Sequence, residues 1–325
     1  MNGATNAEGA ASCAGCGTGR PAPFLSGTPE ILRCPACGLF RLARFPEREE
    51  REQGYQEDYY KEGEGSRFVG PFEAASLFFR WVRTRPILSR RPETGSILDI
   101  GCGRAHMLGL FRKKGWKAVG TQLSRTAAEA ARRLRGVEVL VGELPELELP
   151  GGSFDVVTMF HVLEHLPDPF LYLSEVRRLL APGGLFVVEV PDHSGPGFRI
   201  LGVRHLCVDY PNHLHFFTAS SLEGMLARAG FRVEARSRFS LEYSPFTTLQ
   251  NLLNLLPGEP NLFYRSLMGN REASRLRKSP VTWLHFLLAA ILAIPAGMLS
   301  LALPLAGGGN TVRFYCRAAE LPKID

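Results

Sequence analysis

The most constraining feature of this chain is a short apolar strand pattern that runs into two glycines and then into a helix. The strand pattern is Ser96-Ile97-Leu98-Asp99-Ile100, followed by Gly101-Cys102-Gly103 and a helical pattern at residues 104–114. A strand that turns into a helix through glycines brings bare backbone and helix N-terminal amides against a ligand, so this loop predicts a nucleoside site. The dinucleotide fingerprint requires a third glycine where this chain has His106, so NAD is the weaker interpretation.

Strand and helix patterns alternate through the centre of the chain. After the first strand, a helical pattern lies at residues 125–134, and strand patterns recur at residues 117–120, 137–141, 154–160 and 185–190. Two later strand patterns, at residues 231–240 and 311–317, are expected to join the same sheet. The alternation predicts an α/β fold with a doubly wound, Rossmann-like, seven-stranded sheet. Its ligand should lie at the carboxyl ends of the parallel strands.

Five segments of this central region together resemble the class I S-adenosylmethionine-dependent methyltransferases. They occur in the order expected for that family and cover about half of the chain: ILDIGCG, the strand end Gly142-Glu143, SFDVV, HVLEHLPDP and LLAPGG. The resemblance implies S-adenosyl-L-methionine as the cofactor. Carried over position by position, it implies that the cofactor is bound by Asp99, Gly101, Gly103, Glu143 and His161.

One cofactor position departs from the family pattern. At the end of the second strand the family usually has an acid that holds both ribose hydroxyls, and this chain has Gln122. A neutral amide can accept one hydroxyl but lacks the stronger charge-assisted bonds of a carboxylate. Glu143 suits the adenine amine because a carboxylate only accepts hydrogen bonds. The alternative for Asp99 and Glu143 is that both are solvated acids at strand ends.

Four cysteines near the start of the chain form the pattern C-x2-C-x17-C-x2-C: Cys13, Cys16, Cys34 and Cys37. This spacing is typical of a structural zinc site, in which two tight turns present four thiolates to one tetrahedral ion. Disulfides or a redox role are the alternative, and a reducing cytosol disfavours it. A zinc ribbon ahead of this domain resembles the arrangement in sugar C-methyltransferases and in methyltransferases of polysaccharide gene clusters.

The length of 325 residues leaves room for additions on both sides of a nucleotide-binding domain. We expect Tyr59 and Tyr60 to be lid residues or exposed linker aromatics. The expected divisions are a zinc ribbon over residues 1–50, a linker and lid helix over 51–95, a methyltransferase core over 96–240, a helical membrane-associated insertion over 241–309, and a final strand and tail over 310–325.

The net charge and the first residues of the chain limit its possible partners and its possible location. The net charge of +6 is modest, and the basic residues are not interleaved with aromatics as in a nucleic-acid groove. We therefore expect no nucleic-acid binding. Residues 1–12 are small and polar, without the apolar core of a signal peptide, so the catalytic domain is expected to face the cytoplasm.

Histidines in the segment 209–218 are candidates for the base that removes the acceptor's proton. Methyl transfer from a sulfonium proceeds by in-line attack, so the protein must position a nucleophile and deprotonate it. The segment resembles one in the sugar C-methyltransferases, with Asn212 at the position of an acid. His213 is the preferred base because the pKa of imidazole lies near neutrality. The remaining catalytic candidates are Tyr210, His215 and His193, and the alternative is that these histidines are structural.

The triplet His161, Glu164 and His165 allows three interpretations. As H-x-x-E-H it matches a zinc-protease motif, but that motif needs a long helix, and here a strand ends before the triplet and prolines follow it. The stretch also resembles the quinone-biosynthesis O-methyltransferases, which use acids and a histidine here to hold a divalent cation. The favoured interpretation is that His161 lines the cofactor and that Glu164 and His165 form hydrogen bonds within the loop.

Residues 281–305 are almost uninterrupted apolar sequence and long enough to cross a bilayer. A single crossing would separate the strand patterns at residues 231–240 and 311–317, which belong to one sheet. We therefore predict a monotopic helix hairpin broken near Pro295, with anionic headgroups meeting the basic residues Arg265, Arg271, Arg275, Arg277 and Lys278. The alternative is a buried helical pair or a dimer contact in a soluble enzyme.

These features predict a methyltransferase that acts on a small-molecule or lipid-linked acceptor, such as a saccharide or a quinone precursor, at the inner face of a membrane. The glycine loop and the histidines of the acceptor segment favour this function. Gln122 and Asn212 favour the alternative, a protein that keeps the fold for binding or scaffolding and lacks catalysis.

Overall fold

The computed structural model describes residues 12–47, 71–268 and 270–319, with side chains from residue 78 onward in the first helix. The strands are β1 (Ala22–Leu25), β2 (Ile31–Arg33), β3 (Phe40–Leu42), β4 (Ser96–Ile100), β5 (Lys117–Gln122), β6 (Glu138–Val141), β7 (Phe154–Phe160), β8 (Leu180–Pro191), β9 (His215–Phe216), β10 (Phe231–Ser237) and β11 (Thr311–Ala318). The helices are α1 (Pro71–Arg90), α2 (His106–Lys113), α3 (Arg125–Arg135), α4 (Pro169–Leu179), α5 (Pro196–Leu201), α6 (Ala219–Arg228), α7 (Ser244–Leu253), α8 (Leu262–Ser266), α9 (Arg271–Leu276) and α10 (Pro280–Ala302).

The predicted Rossmann-like sheet is confirmed. Its seven strands lie in the order β10-β11-β8-β7-β4-β5-β6. The strands from β4 to β8 pair in parallel, and β11 joins β8 and β10 in antiparallel pairs. Because β4 pairs with β5 on one side and β7 on the other, the chain reverses its winding direction there. A crevice therefore opens at the carboxyl ends of β4 and β7, where ligands bind in such sheets.

Helices cover both faces of this sheet. Alternate residues of β4 point into different apolar clusters: Leu98 packs with α4 and α6, and Ile97 packs with α1, α2 and α3. Both side chains are fully buried. Burial on both faces explains why the central strands are continuous apolar runs rather than alternating patterns.

Side-chain caps fix the beginnings of several helices. Thr218 caps α6, and its side chain forms a reciprocal capping box with Ser221. The Ser124 side chain accepts the Ala127 N–H at the start of α3, and Asp168 caps α4 in the same way. These caps set α3, α4 and α6 directly after the loops that carry the candidate site.

The N-terminal ribbon is joined to the core by a strand that the sequence did not suggest. Strands β1, β2 and β3 form an antiparallel sheet, and β9 from the core adds to its edge through Phe40 opposite Phe216. Cys34 and Leu39 belong to the same apolar cluster as Leu222 of α6. The guanidinium of Arg228 donates to the backbone oxygens of Ala14 and Gly15 at 3.1 and 2.5 Å. The ribbon and the core thus share one interior.

The predicted helix hairpin at residues 281–305 is wrong, because α10 is one helix that continues through Pro295. Proline removes one backbone hydrogen bond and usually kinks a helix. Here the side of α10 that carries Ala289, Ala296 and Ser300 is buried before and after the proline, and α10 packs along α7. This continuous packing keeps the helix in register across Pro295, which lies on the exposed side.

Candidate functional site

The loop after β4 has the backbone conformation that only glycine adopts readily. Gly101 and Gly103 have φ angles of 67° and 55°. A Cβ at Gly101 would lie 2.5 Å from the Val162 side chain, whereas a Cβ at Gly103 would meet no described atom within 4 Å. Gly101 is therefore required for the loop to pack against the segment after β7. Gly103 leaves open space at the start of α2, as a close ligand needs.

Three polar side chains stand at the carboxyl ends of β4, β5 and β6. Asp99 is buried, and its Oδ1 accepts a hydrogen bond of 2.7 Å from the Thr158 hydroxyl. Burial raises the pKa of Asp99 to about 7, although Thr158 and Arg83 act in the opposite direction. Gln122 is buried and accepts the Leu123 N–H at 2.8 Å, and Glu143 is half-buried. Two carboxyl groups and an amide on adjacent strand ends fit the amine and hydroxyl groups of a nucleoside.

His161, directly after β7, lies between two buried acids. Its Nδ1 is 3.3 Å from Glu164 Oε1, and its Nε2 is 3.2 Å from Glu189 Oε1. Burial opposes charging of this ring, but Tyr243, Glu164 and Glu189 together raise the pKa of His161 well above its ordinary value of 6.5. The ring centroids of His161 and Tyr243 are 4.2 Å apart. His161 is thus a cation at neutral pH and links the loop after β7 to β8.

Two arginines complete this charged network on the other side of Glu189. Arg313 of β11 is 2.5 Å from Glu189 Oε2, and Arg83 of α1 is 3.8 Å from Glu189 Oε1. Arg83 also pairs with Glu242. The two guanidinium groups lie over the Phe160 ring, at 4.5 and 5.5 Å from its centre. Burial raises the pKa of Glu189, but Arg313, His161 and Arg83 outweigh that effect and lower it.

The sequence interpretation missed this network. Two of its members carry a signal that was available: Glu189 and Arg313 each interrupt an apolar strand. A charge at an inward position of a buried strand indicates a partner inside the protein. Arg83, Glu242 and Tyr243 carry no such signal, because they lie on half-exposed segments far apart in the chain.

Glu164, His165 and His213 form a second cluster, in which one ligand atom from each residue lies within 4.8 Å of the others. His165 Nδ1 is 3.0 Å from the Asn212 backbone oxygen, and His213 Nδ1 is 2.8 Å from the Cys207 backbone oxygen. A carbonyl oxygen only accepts hydrogen bonds, so each Nδ1 carries the proton. In the neutral form of either ring, Nε2 is therefore the nitrogen that can accept a proton.

The electrostatics of this cluster favour a neutral His165 ring and an ionised Glu164 carboxylate. Burial and His213 lower the pKa of His165 to about 4, so its ring is neutral at pH 7. Burial raises the pKa of Glu164, but His161 and the other two histidines outweigh this and lower it to about 2. A divalent cation fits these two imidazoles and the carboxylate. The structure adds His213 to the predicted pair Glu164 and His165, whereas His161, the third residue of the predicted cation site, contacts Glu164 but lies outside this group.

The remaining catalytic candidates are not members of this group of possible ligands. Tyr210 is 48% exposed, in the loop before His213. His215 is buried in β9 between Phe45 and Phe217, and burial and Arg41 lower its pKa to about 3. His193 is buried against aromatic rings, and burial and neighbouring histidines lower its pKa to about 3. Tyr59 and Tyr60 lie outside the described residues.

The four N-terminal cysteines converge on one point. Sγ of Cys13 is 3.6 Å from Sγ of Cys37, and Sγ of Cys16 is 3.8 Å from Sγ of Cys34. Thiolates around one zinc ion, with bonds of about 2.3 Å at tetrahedral angles, lie about 3.8 Å apart. Backbone N–H groups of Gly15 and Gly19 donate to Cys13 and Cys16 at 3.3 Å, which stabilises thiolates. The donor set fits zinc and leaves no position open for substrate.

Comparison with known proteins shows to which protein family this fold and site belong. Residues 75–236, about half of the chain, match a family model described as a methyltransferase domain. A probable S-adenosylmethionine-dependent methyltransferase of Mycolicibacterium smegmatis is 33% identical over 161 residues, which are 47% of this chain and 60% of that protein. A ubiquinone biosynthesis O-methyltransferase of Thiobacillus denitrificans is 28% identical over 200 residues, which are 58% of this chain and 83% of the relative.

A solved structure supports the fold. A provisionally assigned sarcosine dimethylglycine methyltransferase from Galdieria sulphuraria superimposes with a TM-score of 0.52 at 14% identity, covering 84% of this chain and 98% of that chain. The sheet order, the glycine loop and the polar strand ends define a nucleoside-binding domain of the Rossmann-like class. With the family match, the chain belongs to the class I S-adenosylmethionine-dependent methyltransferases. The ribbon and α10 lie outside the matched residues.

Proposed function

We propose that this protein transfers a methyl group from S-adenosylmethionine to a small-molecule acceptor held on a lipid, with a saccharide or quinone-like head. The observation that carries the proposal is the juxtaposition of two features at one edge of the sheet. The glycine loop follows β4, and the cluster of Glu164, His165 and His213 lies beside the end of β7, the neighbouring strand. A cofactor on the first feature would face an acceptor on the second.

The cofactor supplies a methyl group on a positively charged sulfur, and the chain binds and orients it. The conformation of Gly101 and the open space at Gly103 allow backbone to approach the methionine end. Glu143 suits the adenine amine as an acceptor, and Gln122 suits one ribose hydroxyl. Asp99, whose pKa is about 7, can lie beside the amino group of the methionine part in its ionised form.

His213 is the proposed base. The Cys207 carbonyl holds the proton of the ring on Nδ1, so Nε2 is free to take a proton from the acceptor. The buried carboxylate of Glu164 would then stabilise the imidazolium ring. Such proton transfer contributes about 10²- to 10⁴-fold to a rate. A divalent cation on the same three residues is the second candidate, and it would orient an oxygen acceptor.

The outer face of α10 supports a membrane location. Pro280–Ala306 is long and apolar enough to cross a bilayer, and only 17% of its most apolar stretch is buried. The inner face packs on α7, and both ends of the segment return to paired strands β10 and β11. The helix therefore lies along the cytoplasmic leaflet rather than crossing it. The exposed apolar side chains include Trp283, Leu284, Leu287, Ile291, Ile294, Met298 and Leu301.

Fewer basic residues are available to headgroups than the sequence suggested. Arg265 pairs with Glu259 and Glu272, and Arg277 donates to backbone oxygens. The exposed cations that remain beside α10 are Arg271, Arg275 and Lys278. Cations of this kind contribute about 1 kcal/mol each near an anionic surface, so the apolar face would supply most of the binding.

The test measures cofactor binding and turnover separately. Calorimetry with S-adenosylmethionine should show binding to the wild type and none to Gly101→Arg, whose side chain would occupy the loop. Methyl transfer into extracted lipid-linked glycans and quinones is then followed by mass spectrometry. No cofactor binding at millimolar concentration in the wild type would favour the scaffold alternative.

His213→Ala should retain cofactor affinity and lose about 10²-fold or more in turnover. Added imidazole should restore part of the activity, because it replaces the missing base. If His213→Ala loses cofactor binding, or if imidazole restores nothing, His213 has a structural role. A further experiment separates the base from the divalent cation. Activity and metal content are measured with added metal ions and with a matched chelator, and only the cation candidate predicts that the chelator abolishes activity.

A further inference from the structure

A cavity of about 470 Å³ lies between α1, α2 and α3, on the outer helical layer. No acid lines it among the described residues, and four of its lining side chains are cationic: Arg80, Arg112, Lys113 and Arg135. Trp81, which is 42% exposed, and Leu134 supply an apolar side. We call this cavity the outer basic pocket. Like charges that converge without an acid repel one another, so such a pocket favours an anion.

Two glycines position the arginines of the outer basic pocket. The Arg135 side chain of α3 crosses over Gly109 of α2, where an added Cβ would lie 3.3 Å from its Cδ. The Arg112 guanidinium of α2 lies over Gly136 at the end of α3, where an added Cβ would lie 3.2 Å from its Cζ. Each helix therefore leaves space for an arginine of the other. This reciprocal packing brings both side chains to the cavity wall, where Arg112 stays exposed to solvent and Arg135 is half-buried.

Two of the pocket cations have no acidic partner among the described residues. In the described part of the chain, neither Arg112 nor Lys113 forms an ion pair. Arg135 donates to His106 Nδ1 at 2.6 Å, and this partner is neutral. Burial lowers the pKa of His106 to about 3, with further contributions from Arg80, Arg135 and Arg104. Cations in the last turns of α2 and α3 complement the helix dipoles, but the dipoles do not account for Arg80 and Trp81 on a third helix.

We propose that the outer basic pocket binds a small, soluble, phosphate-bearing molecule. Its phosphate groups would contact Arg112, Lys113 and Arg135, and its uncharged part would lie against Trp81. Guanidinium groups form paired hydrogen bonds with phosphate oxygens, which favours phosphate over a single carboxylate. The pocket size is within the range of small-molecule sites. This inference does not depend on the proposed methyl transfer, because none of these residues has a role in it.

The experiment titrates the full-length protein with inorganic pyrophosphate at constant ionic strength and follows binding by calorimetry. The double variant Arg112→Gln/Lys113→Gln should bind pyrophosphate at least tenfold more weakly. Lys114→Gln, which removes the neighbouring exposed cation outside the pocket, should bind like the wild type. The affinity for S-adenosylmethionine should be the same in the wild type and in both variants, which separates this site from the cofactor site.

Three results would overturn the proposal. The first is that the wild type does not bind pyrophosphate. The second is that Lys114→Gln weakens binding as much as the double variant does, which would indicate general attraction to a basic surface. The third is that phosphatidylglycerol vesicles bind through Arg112 and Lys113 while pyrophosphate does not, which would make the pocket a headgroup contact. A uridine diphosphate titration adds a check on Trp81: Trp81→Ala should weaken its binding more than that of pyrophosphate.

Discussion

The ribbon and helix α10 are both additions to one methyltransferase core, and they differ in how they bury apolar surface. The ribbon buries its residues inward: Cys34 and Leu39 share a cluster with α6, and β9 joins the ribbon sheet to the core. Helix α10 buries only a narrow strip, including Ala289 and Ala296, and leaves Ile294 77% exposed.

This contrast separates two uses of apolar sequence. Burial of apolar surface contributes about 25 cal/mol per Å². It stabilises the fold only where that surface is removed from water by packing within the chain itself. The ribbon meets that condition. Most of the apolar face of α10 does not, and exposed apolar patches of this kind mark contacts with a membrane or another protein. We therefore expect damage to the ribbon to unfold the chain and damage to the outer face of α10 to leave it folded.

The largest expected effect is on the ribbon. Cys34→Ser changes a buried residue of the proposed zinc site inside the shared interior and should cost about 4 kcal/mol or more of unfolding free energy. Denaturant unfolding followed by circular dichroism, together with zinc analysis, measures it. Ser26→Ala, at an exposed position of the same ribbon away from the cysteines, is the control and should change the free energy by less than about 0.5 kcal/mol. Equal stability of both variants would mean that the ribbon is not part of the core.

The next effect concerns the outer face of α10. Leu287→Glu/Ile294→Glu should lower the affinity of the protein for phosphatidylglycerol vesicles by about 100-fold, since each aliphatic side chain buried in the membrane contributes about 1.5 kcal/mol or more. Vesicle cosedimentation measures this, and the unfolding free energy should remain close to that of the wild type. Leu171→Glu, at another exposed apolar position, should not alter vesicle binding. A wild-type dimer that this double variant dissociates, without any vesicle binding, would assign the face to a second copy of the chain.

The smallest effect compares two neighbouring alanines of α10. Ala289 is 5% exposed against α7, whereas Ala290 is exposed. Ala289→Leu should overfill the contact and cost about 1–3 kcal/mol, and Ala290→Leu should cost almost nothing. Thermal and denaturant unfolding of the two variants provides the comparison. If both are neutral, the inner face of α10 does not hold the helix to the core.

The sequence predicted the fold well where the signal is local. Strands Ser96–Ile100 and Phe154–Phe160 have the predicted bounds, because apolar runs end there at glycines or at a change to polar sequence. The glycine loop, the acids at strand ends and the cysteine spacing are also local patterns, and each lies where its pattern placed it.

The sequence did not reveal features that depend on distant contacts. The pairing of Phe40 with Phe216 joins a ribbon edge to a two-residue strand that has no pattern of its own. The charged network brings Arg83, Glu189 and Arg313 together from three separate elements. The proline in α10 suggested a break, but packing against α7 outweighed the local rule. In each case a long-range contact decided the outcome.

Strand β9 has a consequence for how this enzyme can be dissected or engineered. The backbone N–H of Leu214 donates to the backbone oxygen of Glu164, and the backbone oxygen of Leu214 accepts from the N–H of Leu42 in the ribbon. The residue after His213 is therefore bound to both the core and the ribbon. A version trimmed to the Rossmann-like part would lose the ribbon's side of this connection. The four-cysteine ribbon would thereby act as a scaffold that aligns His213, the proposed base.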